Sequence, residues 1–113
     1  MKRMILVAAG VAALFGAGLT VALADDVPTF EIKIKDHKFD PERLEVPAGK
    51  DFKLVVKNLD TSPEEFESYD FPVEKIIAGG GEGIFNIEGL EAGEHKFFGE
   101  FHMDTANGVI VAK

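Results

Sequence analysis

Phe30, Ile32 and Ile34 alternate with Glu31, Lys33 and Lys35. A period of two, apolar against charged, marks a strand buried on one face. The alternation returns in Phe52, Leu54 and Val56, set among Asp51, Lys53, Val55 and Lys57. Between the two, Asp36–Pro41 predicts a turn, and Leu44 with Val46 a short strand closed by Pro47-Ala48-Gly49. Leu59–Pro63 reads as a loop. Glu64–Tyr69, Val73–Ile77, Ile84–Ile87, His95–Glu100 and Gly108–Val111 predict further short strands, and Phe101–Asn107 another loop. No segment after residue 24 holds a 3.6-residue period for more than two turns. The expected architecture is all-β, a Greek-key β-sandwich of seven or eight strands occupying residues 25–113. Its core is expected to include Phe30, Ile32, Ile34, Leu44, Phe52, Leu54, Val56, Phe66, Phe97, Val109 and Val111.

Residues 1–24 follow a different pattern. Lys2 and Arg3 precede an uncharged apolar run, Ile5–Leu23, that ends in Ala22-Leu23-Ala24 before Asp25 and Asp26. A basic start, an apolar middle and a small-x-small end make a secretory signal peptide, with cleavage expected after Ala24 and a periplasmic product. The run is about 19 residues long, close to the ~20 that span a bilayer, so a retained anchor is the alternative. Cleavage removes two basic residues and no acidic one, leaving a more acidic chain.

Composition narrows the chemistry. The 113-residue chain has no cysteine, so disulfides, thiolate catalysis, iron–sulfur clusters and Cys-ligated metals are excluded. Its net charge of −8 opposes binding to nucleic acid and suits cations or a basic partner. Ser62 and Ser68 are the only serines, and neither sits in a nucleophile elbow. Gly79–Gly83 offers Gly-x-Gly-x-Gly, but no amphipathic helix follows to make a phosphate cradle.

Two segments carry the remaining chemistry. In Pro63-Glu64-Glu65-Phe66-Glu67-Ser68, a strand sends Phe66 to the core and Glu65 with Glu67 to the other side. Three carboxylates within four residues repel unless a cation neutralises them. In Gly99-Glu100-Phe101-His102-Met103-Asp104, an extended chain presents Glu100 and His102 on one side. Carboxylates with an imidazole suit iron, manganese or a non-blue copper(II) site. His37, in the first turn, is able to reach the same end of a sandwich; His95 reads as a surface residue. The competing reading is a solvated acidic face.

The order of these pieces resembles the cupredoxin superfamily. Ile32–Pro41, Leu44–Gly49 and Val56–Asn58 look like its first half; Leu90–Phe98, the following loop and Gly108–Val111 look like its second. By that resemblance the four blue-copper ligands, His, Cys, His and Met, fall on Glu64, Gly99, His102 and Ala106, and Met103 is out of register for the last. A type 1 blue site is therefore not implied. Glu65-Phe66-Glu67 is similar to the cupredoxin-like domain of EfeO-type iron-uptake proteins, and Pro63–Ser68 with Phe98–His102 to small relatives that work beside FTR-type iron permeases. That resemblance implies periplasmic binding of copper or iron, as a carrier or as an Fe(II)-oxidising partner of the permease. The candidate ligands are Glu64, Glu65, Glu67, Glu100, His102, Met103 and His37. A metal-free sandwich acting as a partner-binding module is the rival function.

Overall fold

The structure, a computed structural model, describes residues 27–113. The expected signal peptide and its cleavage point lie outside them. Among the described residues nine strands follow in order: β1 (Thr29–Lys35), β2 (Lys38–Asp40), β3 (Arg43–Val46), β4 (Phe52–Asn58), β5 (Glu64–Ser68), β6 (Val73–Ile77), β7 (Glu82–Ile87), β8 (Gly93–Gly99) and β9 (Asn107–Ala112). One 3-10 turn, Glu100–His102, is inserted before β9. The strands form two sheets, β2-β1-β4-β7 and β3-β9-β8-β5-β6, packed as a β-sandwich. Each sheet mixes parallel and antiparallel pairs: β1 runs parallel to β4, and β9 parallel to β3.

The alternation in β1 and β4 is realised as read. Ile32, Ile34, Phe52, Leu54 and Val56 are buried between the sheets while their lysine neighbours face water. Around them four phenylalanines make the centre. Phe39 packs edge-on against Phe66 and Phe97, with ring centroids 5.8 and 4.9 Å apart. Phe66 also meets Phe85 and Phe97, each at 5.2 Å. Offset and edge-on contacts of this kind add to the area term, itself worth about 1.5–3 kcal/mol for each fully buried ring.

The structure departs from expectation in three places. The predicted turn Asp36–Pro41 contains β2, because Asp36 and His37 adopt positive φ (53° and 59°) and make a two-residue hairpin turn. Strand β9 is shifted by one position in phase. Ile110 and Ala112 enter the central cluster; Val109 is only half-buried, and Val111 is buried as expected but lies outside the cluster. Gly108 explains the phase, because a Cβ there would lie 2.3 Å from the Phe97 ring. It is the inward residue that leaves room for that ring, so Ile110 and Ala112, two and four places on, point inward too. Finally, the chain after Gly99 coils into the 3-10 turn, so Glu100 and His102 do not project to one side.

Candidate metal centre

Strand β5 is acidic on both faces. Phe66 and Ser68 point inward with Glu64, which is 1% exposed. A buried carboxylate is costly without donors, and Glu64 has three. Its Oε1 accepts from the backbone N–H of Phe101 at 2.9 Å and of Glu65 at 3.0 Å. Its Oε2 accepts from His102 Nδ1 at 2.6 Å.

His37 reaches this point through its turn. The Asp60 carboxylate accepts from the N–H of Asp36 at 2.7 Å and of His37 at 3.0 Å, clamping both positive-φ residues. Burial alone would push the Asp60 carboxyl up, but these two N–H groups and nearby positive charge bring it below its ordinary value. Asn58 fixes Asp60 in turn, accepting from its N–H at 3.0 Å while donating to the carbonyls of Ser62 and Ile77. The result places the His37 ring flat on that of His102, with the Ser62 hydroxyl 3.4 Å from its Nε2.

Glu65 and Glu67 point to the outer face of the five-stranded sheet. There they meet Glu100, from the 3-10 turn, and Glu74, from β6. One carboxylate oxygen from each of the four lies within 4.8 Å of the others. Register creates the meeting: Glu67 stands directly opposite Glu74 on one side and Phe98 on the other. Like charges in such a cross-strand position destabilise a sheet. Glu67 is only 9% exposed, and its Oε1 has no hydrogen-bond partner. A proton shared with Glu100, loss of water, and the charges of Glu100, Glu74 and Glu65 push the Glu67 carboxyl up to about 7. Glu65 is raised as well, first by a hydrogen bond with Glu74 and then by burial and the same like charges.

The seven candidates therefore separate. Glu64, His102 and His37 meet at one end of the sandwich. Glu65, Glu67 and Glu100 meet on the outer face, where Glu74 joins them. Met103 belongs to neither set: it is exposed and lines a groove with Tyr69, Phe98 and Val109. Glu74 went unread because only strand pairing brings it to Glu67; in sequence it is one more acid on a short strand.

Comparison with known proteins agrees with the architecture. Residues 5–112 match the family of cupredoxin-like domains. The chain belongs to that family. An uncharacterized protein of Rickettsia prowazekii (strain Madrid E) is 40% identical over 87 residues, covering 77% of this chain and 70% of that one. Among solved structures, the metal-binding domain of the Cu(I)-exporting P-type ATPase of Streptococcus pneumoniae superposes with a TM-score of 0.64 at 16% identity. That match covers 75% of this chain and 84% of the other. The purple cupredoxin of Nitrosopumilus maritimus gives 0.58 at 20% identity, covering 78% of this chain and all of its own. At such identities the likeness is one of fold.

The four positions that the sequence resemblance matches to blue-copper ligands meet in this cupredoxin-like chain, without the donors of such a site. Glu64, Gly99, His102 and Ala106 come together in space: a Cβ on Gly99 would lie 2.6 Å from Glu64 Cδ and 2.8 Å from Ala106 Cβ. No thiolate or thioether stands at these four positions. The one imidazole is bonded to the one carboxylate, and that carboxylate fills the room a cysteine side chain would need. A type 1 copper ion does not fit this donor set.

Proposed function

We propose that this cupredoxin-like chain binds a metal cation through Glu65, Glu67, Glu74 and Glu100, and that the ion is its cargo. The buried Glu67 carries the reading: its carboxylate meets three others, and its Oε1 has no hydrogen-bond partner. Only a proton or a cation relieves that arrangement. An all-oxygen donor set suits iron(III) or manganese(II), and copper(II) only as a non-blue ion. With the N-terminal segment read as a secretion signal, the setting is periplasmic, and handing iron to a membrane permease is the role that fits. Carriage is favoured over oxidation of Fe(II), because neither His37 nor His102 belongs to the cluster to hold a redox-active copper beside it.

Equilibrium dialysis of residues 25–113 against Fe(III)-citrate and against Cu(II) tests this. Glu67→Gln should lower iron retention far more than His102→Ala does. Equal retention by both variants and the parent chain refutes the site. No retention of either metal by the parent chain makes the partner-binding module the better reading.

A further inference from the structure

Glu64 is spent on something other than holding a metal. The sequence resemblance matches it to a blue-copper ligand position, yet its three hydrogen bonds are all internal. The two N–H groups that Oε1 accepts belong to Glu65 and Phe101. Glu65 is a member of the outer cluster, and Phe101 directly follows another, Glu100. One buried carboxylate oxygen thus ties the start of β5 to the 3-10 turn at the two points from which Glu65 and Glu100 project outward. His102, through Nδ1, holds the other oxygen and so sets the rotation of the carboxylate. Two backbone bonds close the loop behind it: Gly99 N–H to the Ala106 carbonyl at 2.9 Å, and Ala106 N–H to the His102 carbonyl at 2.8 Å. Apart from the carboxyl pair of Glu67 and Glu100, the bonds from this loop to β5 side chains, from Phe101 and His102, both end on Glu64.

We propose that Glu64, oriented by His102, is a positioning residue for the outer acidic cluster, joining the start of β5 to the 3-10 turn from inside the sandwich. The inference rests on the metal site proposed above. What matters for this role is the reach of the Glu64 oxygen to two N–H groups, not its charge.

Two variants separate reach from charge. Glu64→Gln keeps an oxygen at the same reach and loses the charge. Glu64→Asp keeps the charge and withdraws the oxygen by one methylene. Mn(II) affinity measured by EPR is the readout, with amide chemical shifts of Glu65 and Phe101 followed by NMR. Glu64→Gln should bind within about threefold of the parent chain. Glu64→Asp should lose roughly tenfold, the scale typical of a residue that orients a metal ligand, with the Phe101 amide shifting toward a solvent-bonded value. The reverse order, Gln weak and Asp near normal, makes Glu64 a charge or ligand and overturns the proposal. So does parent-like binding by both while Glu67→Gln binds weakly. If Glu67→Gln binds Mn(II) like the parent chain, the cluster itself is wrong and this inference falls with it.

Discussion

The imidazoles of His37 and His102 lie face to face, their centroids 3.5 Å apart and their planes 9° from parallel. They come from the first hairpin and the last loop of the domain. Neither is placed by core packing. His37 is set by the Asp60 clamp on its turn, and His102 by its bond to Glu64. The stack therefore reports on both supports.

Asp60→Ala should release the turn. It removes an acceptor from two N–H groups held at positive φ, at a cost of about 1–2 kcal/mol in a partly exposed site. The His37 ring resonances should move toward solvent values while those of buried Phe66 stay put. Because the Asp60 carboxyl sits below its ordinary value, its stabilisation is present at neutral pH and fades as acid protonates it. The variant should accordingly show a shallower acid loss of stability in urea titrations.

Glu67 acts in the opposite sense. Its pKa rises from 4.5 to about 7 on folding. Between those values the folded chain holds more protons than the unfolded one, so stability falls as pH rises. The metal-free protein should have a higher urea midpoint near pH 5 than near pH 8. Glu67→Gln should flatten that decline, and a bound cation should restore the midpoint at the higher pH. A metal-free midpoint that climbs across this range would sink the account of the cluster.

Gly99→Ala tests how tightly Glu64 fills the sandwich end. The added Cβ meets Glu64 Cδ and Ala106 Cβ below contact distance, an overpacking that costs about 1–3 kcal/mol. In a Glu64→Ala background the penalty should shrink, since one of the two obstacles is gone. A double-mutant cycle from urea unfolding reads that coupling. Additive effects would mean that the carboxylate moves aside freely.

Phe66→Ala removes the ring that links Phe39, Phe85 and Phe97. Loss of a buried phenylalanine costs about 3–5 kcal/mol, so this variant should show a large fall in thermal midpoint. The outer cluster on the same strand should loosen with it, visible as weaker Mn(II) binding.

The sandwich was legible because period two survives in β1 and β4, where each inward apolar residue has a charged outward neighbour. In β9 the run Val109-Ile110-Val111 has no such contrast, and the phase is set by Gly108 against Phe97, a contact between strands. Glu65 and Glu67 were legible as an outward pair by the same alternation. Glu74 was not, because its place depends on how β6 registers on β5. The opposite fates of Glu64 and Glu65 follow from one pleat of the strand, yet the donors waiting for Glu64 come from a 3-10 turn that an extended reading of residues 99–104 does not contain.

Glycine and alanine at positions 99 and 106 have a consequence outside coordination geometry. The chain has no cysteine, and its four-carboxylate cluster contains no sulfur or imidazole. Peroxide has no thiolate there to convert to sulfenic acid or to trap in a disulfide. A cargo site of this composition needs no reductase to keep its ligands competent and no partner to resolve them after oxidative attack. The proposed ligands would stay chemically intact in an oxidising compartment, where a cysteine-bearing centre would need to be filled or shielded to survive.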